Sequence, residues 1–232
     1  MTDSALRELE GDPSSRKRFF KMMGGAGAVS AFGVFLAACG DDDDDKKADT
    51  AAPEGGAAKD APADDLAIVN YALTLEYLEA DFYQQVIDSG LVKDKAVVEI
   101  AKKFGETEQE HVDALKATAE KLGGPAAEKP TTKFDEVLAG GLEMVLSTAA
   151  TVENLGAAAY LGQAGNIKDK EILAAALAIH TVEARHAAAL NQLIGAGFQG
   201  DGPLEGSVPD GAFAKPMDMQ AVLEAVKPFI AS

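Results

Sequence analysis

The chain has 232 residues, carries a formal net charge of −17 at pH 7, and contains one cysteine and no tryptophan. This acidity argues against binding to nucleic acid, or to anionic lipid headgroups, through a basic patch. The single cysteine excludes an intrachain disulfide and any cysteine-based zinc or iron–sulfur site, and leaves haem ligation by histidine or methionine open. Alanine and leucine supply most of the hydrophobic residues, which favours helices over a β-rich core.

Residues 1–38 have the pattern of an export signal peptide. A basic cluster, Ser15 to Lys21, precedes a weakly apolar stretch, Met22 to Ala38, which at 17 residues is marginal as a transmembrane helix. The cluster resembles the twin-arginine signal, with Lys17 at the position of the second arginine. Export is therefore predicted, by either the twin-arginine or the general route.

The stretch Leu36 to Cys39 resembles the lipobox of bacterial lipoproteins, in which the cysteine becomes the lipidated N-terminus. The resemblance implies that Cys39 anchors the protein in a membrane, with the rest of the chain on the periplasmic or extracytoplasmic side. A diacylglyceryl group supplies the two acyl chains that stable anchoring requires. An uncleaved signal anchor, or an unmodified thiol after a run of small residues, is the alternative.

Residues 39–64 join this cysteine to the rest of the chain. They include five consecutive aspartates, Asp41 to Asp45, followed by a stretch rich in alanine, proline, glycine and charged residues. Since almost nothing here can be buried, the segment is predicted to be a disordered acidic tether. A calcium site at the aspartates is the less favoured alternative, because the run lacks interspersed ligands and a turn-forming glycine.

Residues 65–195 are predicted to form a single all-α four-helix bundle. The apolar residues recur with helical spacing in four segments, at residues 65–89, 93–122, 142–164 and 169–193. The long connection between the second and third segments is the predicted crossover that lets two helix hairpins pack side by side. Residues 196–232 are predicted to be a surface loop and a short amphipathic helix, about 218–227, on the outside of the bundle.

One pattern of polar residues occurs twice in these helices. A glutamate is followed after seven residues by a tyrosine, and 30 or 32 residues beyond that glutamate comes a Glu-x-x-His step. The first copy comprises Glu76, Tyr83, Glu108 and His111, and the second comprises Glu153, Tyr160, Glu183 and His186. Residues three apart share one face of a helix, so the carboxylate and imidazole of each step can converge on one metal ion.

The four glutamates are predicted to lie on the apolar faces of the bundle helices, where buried carboxylates repel one another. Two divalent cations would remove that conflict. One glutamate from each of two helices, with a Glu-x-x-His step from each of the other two, is the arrangement of dimetal carboxylate bundles. A bundle with exposed glutamate and histidine residues at these spacings by chance is the alternative.

From Asp65 to Gly195 the chain resembles the ferritin-like superfamily, and the stretch Leu75 to Ala80 is similar to an exported branch that includes desiccation-related proteins. The resemblance implies that Glu108 and Glu183 bridge the two metals. It further implies that Glu76 and Glu153 are terminal carboxylate ligands and that His111 and His186 complete the two coordination spheres. It also implies that Tyr83 and Tyr160 hydrogen-bond to ligand carboxylates, which fixes ligand orientation.

The sequence also departs from one branch of this superfamily. It has no Cys-x-x-Cys unit of the rubredoxin type, and Gly156 stands where rubrerythrins carry an extra glutamate. Two further residues, Glu79 and His180, lie one helical turn from Glu76 and Glu183. Either could be a hydrogen-bond partner of a ligand or an auxiliary ligand, although a solvated or packing role is the favoured expectation.

Carboxylate and imidazole ligands suit iron, with manganese next, and would also accept zinc. The resemblance implies a dimetal oxidoreductase of the ferroxidase or peroxidase type, with ferrous iron, peroxide, dioxygen or an organic molecule as substrate. The alternative is a non-catalytic envelope stress protein in which the metals are structural or vestigial. The expected partners are the membrane and a small-molecule oxidant, with no nucleic acid and no indicated oligomeric state.

Overall fold

The computed structural model describes residues 65–231. The predicted export signal, Cys39 and the acidic tether lie outside these residues. Within them the chain forms six α-helices: α1 (Asp65–Ser89), α2 (Lys95–Lys121), α3 (Asp135–Ala139), α4 (Gly141–Ala164), α5 (Lys170–Leu193) and α6 (Met219–Val226). The prediction of an all-α bundle with a short C-terminal helix is confirmed. No helix of this described part combines the length and apolar character that crossing a membrane requires.

The ends of the long helices are set by local side-chain chemistry. Asp94 caps α2, because its carboxylate accepts hydrogen bonds from the backbone N–H groups of the first turn. Asp169 caps α5 in the same way, as its position before the periodic segment predicts. Gly90 ends α1 with a φ of 58°, a conformation that costs glycine little. Each of the five predicted helices begins and ends within two residues of its expected position.

The two hairpins, α1 with α2 and α4 with α5, make the closest helix pairs, and they meet chiefly along α1 and α4. The crossover between them contains one helix that the sequence pattern did not predict, the single turn of α3. Phe134, which precedes α3, is buried and packs edge-on against Phe82 of α1, with ring centroids 5.0 Å apart. The crossover is thus fixed to the bundle by an aromatic contact with α1.

The segment after α5 packs on the outside of α4. Met217 donates its backbone N–H to the carbonyl of Ala158, and a Cβ on Gly162 would lie only 1.9 Å from the carbonyl oxygen of Met217. Glycine at position 162 therefore permits this close crossing. The following helix, α6, buries Val222 and Val226 against the bundle core.

Candidate metal centre

The six predicted ligand residues come together between the four long helices. The residues form two groups, and within each group one side-chain nitrogen or oxygen atom from every residue lies within 4.8 Å of the others. One group contains Glu76, Glu108, His111 and Glu183, and the other contains Glu108, Glu153, Glu183 and His186. Glu108 and Glu183 belong to both groups. The structure therefore gives two neighbouring positions at which a cation could be held, joined by two shared carboxylates.

Helical register brings these side chains to the centre of the bundle. Each long helix contributes one glutamate to these groups, and all four of these glutamates are 0% exposed. The histidines follow on the same faces, because a residue three positions further along a helix points in nearly the same direction. His186 is 1% exposed and His111 is 8% exposed, so both imidazoles are buried with the carboxylates.

The imidazole nitrogens stand close to the carboxylates of both hairpins. His111 Nδ1 lies 2.8 Å from Glu108 Oε2, 3.1 Å from Glu76 Oε2 and 3.2 Å from Glu183 Oε1. His186 Nδ1 lies 2.8 Å from Glu108 Oε1 and 3.2 Å from Glu153 Oε2. Glu108 thus presents one carboxylate oxygen to each histidine, as a ligand between two ions would.

Six nitrogen and oxygen atoms of these ligand residues are buried and have no hydrogen bond within the described residues. The unpaired atoms are both carboxylate oxygens of Glu108 and of Glu183, Oε2 of Glu153 and Nδ1 of His186. His186 Nδ1 and Glu108 Oε1 are 2.8 Å apart but are not oriented for a hydrogen bond. Buried polar atoms without partners are costly and rare in folded proteins. Cations in the two positions would satisfy these atoms, so the residues present fit a pair of bound metal ions.

Two tyrosines cross between the hairpins to hold the outer glutamates. The hydroxyl of Tyr83 donates to Glu153 Oε1 at 2.5 Å, and the hydroxyl of Tyr160 donates to Glu76 Oε1. Each glutamate therefore has one oxygen fixed by a tyrosine of the other copy of the motif. The second oxygen of each carboxylate remains turned toward a histidine.

The family comparison matches this architecture. A family model described as the ferritin-like domain covers residues 64–196, which is more than half of the chain. The chain belongs to the ferritin-like family. None of the curated proteins with which the chain was compared matches it. The matched range includes both hairpins and all six residues of the buried carboxylate and histidine groups of this ferritin-like domain.

Burial and mutual charge set the protonation of the ferritin-like centre. Burial would raise the pKa of Glu108, but the two nearby imidazoles outweigh it and lower that pKa to about 2. Burial and repulsion by Glu108 raise the pKa of Glu153 to about 7, and that of Glu183 well above its usual range. For His186, burial is outweighed by the carboxylates beside it, which raise its pKa to about 9. In the absence of cations, protons therefore remain on part of the cluster.

A further carboxylate, Glu79, lies beside the centre and is only 2% exposed. A Cβ on Gly156 would lie 3.0 Å from Glu79 Oε1 and 2.5 Å from Glu183 Oε2, so both carboxylates occupy the space above this glycine. Burial, and then repulsion by Glu183, raise the pKa of Glu79 well above its usual range. Of the solvated or packing role expected for Glu79, burial excludes the solvated one, and its carboxyl group lies beside the two groups without belonging to either.

His180 stands apart from the ligand groups. Its ring is half-buried, and its Nδ1 lies 3.0 Å from the backbone carbonyl oxygen of Ala157. Burial lowers the pKa of His180, so a neutral ring that donates to this carbonyl is the favoured form. His180 thus ties α5 to α4 one turn before Glu183.

The sequence pattern did not single out Phe104, which covers one side of the centre. Its ring stacks on that of His186, with centroids 3.7 Å apart and planes 18° apart. Phe104 precedes Glu108 by four residues, so helical spacing already places it on the same face of α2. Its counterpart in the second copy, four residues before Glu183, is Ile179.

Proposed function

We propose that this ferritin-like protein is exported, is anchored to a membrane through Cys39, and holds two divalent cations in its carboxylate–histidine centre. Iron is the first choice of metal and manganese the second, because the donors are carboxylates and imidazoles. The proposed activity is the oxidation of ferrous iron, or the reduction of peroxide or dioxygen, in the cell envelope.

The observation that carries this proposal is the sharing of Glu108 and Glu183 by two ligand groups. The four carboxylate oxygens of these two residues are buried and have no hydrogen bond within residues 65–231. A single cation in the His111 group would leave Glu153 and His186 without a metal ion to bind. Two cations use all six residues, and four carboxylates balance two divalent charges.

Two redox-active ions held this close together would supply two-electron exchange with dioxygen or peroxide. The chain's own residues set the conditions for that exchange. Tyr83 and Tyr160 hold the outer glutamates in place, while Phe104 covers His186 and limits access of water from that side. His111, at 8% exposure, is the more open of the two histidines.

The experiment that tests the proposal measures metal content and turnover on the same preparation. Full-length protein loaded anaerobically with two equivalents of Fe²⁺ is mixed with dioxygen or with hydrogen peroxide, and oxidation of iron and loss of oxidant are followed. The proposal expects more than one turnover with added ferrous iron. Glu108→Gln should abolish turnover, whereas Glu110→Gln, which changes an exposed glutamate of the same helix, should leave it unchanged.

The alternative is a non-catalytic envelope stress protein whose metals hold the bundle closed. That function requires metal binding but no consumption of oxidant. Protein that binds two ions tightly, yet consumes neither dioxygen nor peroxide, would therefore overturn the proposed activity and retain the proposed site.

A further inference from the structure

An apolar cavity of about 40 Å³ lies between α1, α2, α4 and α5, on the His111 side of the centre. Its wall includes Ala72, Leu115, Tyr160 and Ile179. Three of these residues are one helical turn from ligand residues of the His111 group, since Ala72 precedes Glu76, Leu115 follows His111 and Ile179 precedes Glu183, each by four positions. The cavity wall is therefore one helical turn from the ligands of the His111 group.

Tyr160 joins the cavity to the centre. Its ring forms part of the cavity wall, and its hydroxyl donates to Glu76. The wall is almost entirely apolar, and two of its polar side chains are bonded elsewhere, because Thr118 donates to the carbonyl of Ala114 and Gln163 accepts from Asn166. A buried water needs two to four polar partners, so this cavity disfavours water and favours an apolar occupant.

The volume of the cavity limits the size of the molecule that it can hold. In this kind of measure, one water needs roughly 10–15 Å³, and an apolar cavity that binds benzene has roughly 150 Å³. At about 40 Å³ the cavity exceeds the first value and is far below the second. It accommodates a diatomic molecule and is too small for an aromatic ring.

A second cavity occupies the equivalent place in the other half of the bundle, next to His186. It has about 20 Å³ and is lined by residues at the same positions of the motif, with Ala149 for Ala72, Leu190 for Leu115 and Tyr83 for Tyr160. The cavities are thus doubled along with the ligands. Because both copies of the motif have a cavity at the same place, the cavity belongs to the repeated structure and is not an isolated packing defect.

Three differences between the two halves bear on the sizes of the cavities and on access to them. Phe82 lines the smaller cavity where Ala159 lines the larger one, since each directly precedes the tyrosine of its copy. In addition, Phe104 covers His186, whereas its counterpart Ile179 lines the larger cavity. The outer wall differs as well, because Ala176 is half-buried while its counterpart Ala101 is buried. Access is therefore better on the His111 side.

We propose that the larger cavity is the docking site through which dioxygen reaches the His111 side of the centre, and that Phe82 closes the equivalent route to His186. The proposal rests on the proposed function for its substrate. Dioxygen is apolar and diatomic, which matches the lining and the volume, whereas hydrogen peroxide is polar and would exchange its hydrogen bonds with water for an almost entirely apolar wall.

Xenon tests the docking site without relying on turnover, because it is an apolar probe for cavities of this kind. Crystals of the full chain under xenon pressure should show xenon beside Ala72, Tyr160 and Ile179. Ala72→Val should lower the occupancy and Ala159→Phe should remove it, whereas Ala149→Val, the matched change in the smaller cavity, should leave it unchanged. Thermal unfolding of each variant shows whether it folds. Absence of xenon from the larger cavity of the unaltered protein overturns the proposal.

Turnover tests the route itself. With metal-loaded protein, Ala72→Val should raise the KM for dioxygen several-fold and leave the KM for hydrogen peroxide unchanged, while Ala149→Val should change neither. An equal effect of both variants on dioxygen, or none from either, overturns the route even if xenon binds. If the protein shows no turnover at all, the proposed function is wrong. Xenon occupancy alone then tests whether the larger cavity binds an apolar molecule.

Discussion

Tyr83 on α1 donates a hydrogen bond of 2.5 Å to Glu153 on α4. Tyr160 on α4 makes the corresponding bond to Glu76 on α1. Each tyrosine lies seven residues after one of these glutamates in the sequence, but it bonds to the other one. Because both bonds cross between the hairpins, the orientation of each outer glutamate depends on how α1 packs against α4.

This crossing predicts the effect of removing one hydroxyl. Tyr83→Phe leaves Glu153 without its donor, so the carboxylate is free to rotate away from the ligand group. Loss of such an outer hydrogen bond typically weakens metal binding about 10- to 100-fold. Competition with a chelator of known affinity should show this loss for one of the two bound ions.

Tyr77→Phe is the matched control, because Tyr77 lies on the same helix but is half-buried and takes no part in the centre. It should bind metal as the unaltered protein does. Equal affinity of the Tyr83 and Tyr77 variants would show that the hydroxyl does not position Glu153.

The doubled ligand groups predict how metal content responds to single substitutions. His111→Ala and His186→Ala each remove a ligand of one position, so each should lower tightly bound metal from about two ions to about one. Glu108→Ala should lower it further, because Glu108 belongs to both groups. Elemental analysis of protein after gel filtration provides the count.

His180→Ala serves as the control for these counts. Its ring bonds to the backbone of Ala157 and belongs to neither group, so the variant should keep both ions. If it lost as much metal as His186→Ala, the ligand assignment on α5 would be wrong. Full metal content in all four variants would show that the centre does not hold metal.

The protonation of the centre predicts opposite pH dependences with and without metal. In the metal-free protein the pKa of Glu153 is raised from 4.5 to about 7 and that of His186 from 6.5 to about 9. Each group stabilises the fold fully below its unfolded pKa and loses that contribution as pH rises through the folded pKa. The stability of the metal-free protein should therefore fall between about pH 4.5 and pH 9.

Metal reverses this dependence, since carboxylate and imidazole ligands must release protons to bind it. At a free metal concentration of 100 times Kd, binding adds about 2.7 kcal/mol to the free energy of unfolding for one site. Thermal unfolding across the same pH range should show a melting temperature that rises with pH when Fe²⁺ or Mn²⁺ is present under anaerobic conditions. Equal stability with and without metal at all pH values would show that the centre binds none.

Much of this site follows from spacing in the sequence. Glu108 and His111 lie three residues apart on one helix, so their convergence is local, and the second copy at Glu183 and His186 repeats it. The burial of Glu79 and the stacking of Phe104 depend instead on which helix packs opposite, which spacing on one helix does not determine. The turn of α3 was missed because five residues are too few to show a helical period.

The membrane anchor is a separate prediction from the sequence. Cys39 follows a basic and apolar N-terminal segment and ends a stretch that resembles a lipobox. Cys39→Ala should therefore release the exported protein from the membrane fraction, because the diacylglyceryl group cannot be attached. Fractionation and immunoblotting would measure this. A variant that stays with the membrane after a high-salt wash would show that something other than Cys39 anchors the chain.

The last prediction concerns the fifth buried carboxylate. The four glutamates of the ligand groups balance two divalent cations, so an ionised Glu79 would add a buried charge without a partner, which is costly. Glu79 is therefore expected to be neutral, and glutamine matches the size of its neutral form. Glu79→Gln should keep both divalent ions, whereas Glu183→Gln, an isosteric change in a shared ligand, should lose at least one.

Gly156→Ala tests the same pair of carboxylates, Glu79 and Glu183, by adding a methyl group next to them. The added Cβ would lie 2.5 Å from Glu183 Oε2 and 3.0 Å from Glu79 Oε1, so both carboxylates would have to move. Metal content should fall because Glu183 is shared by both groups. Adding Glu79→Ala to Gly156→Ala opens space into which Glu183 can shift, and should restore part of the metal content. If Glu79→Gln alone lost an ion, Glu79 would be a ligand rather than a neutral neighbour, and the charge balance of four carboxylates against two divalent cations would be wrong.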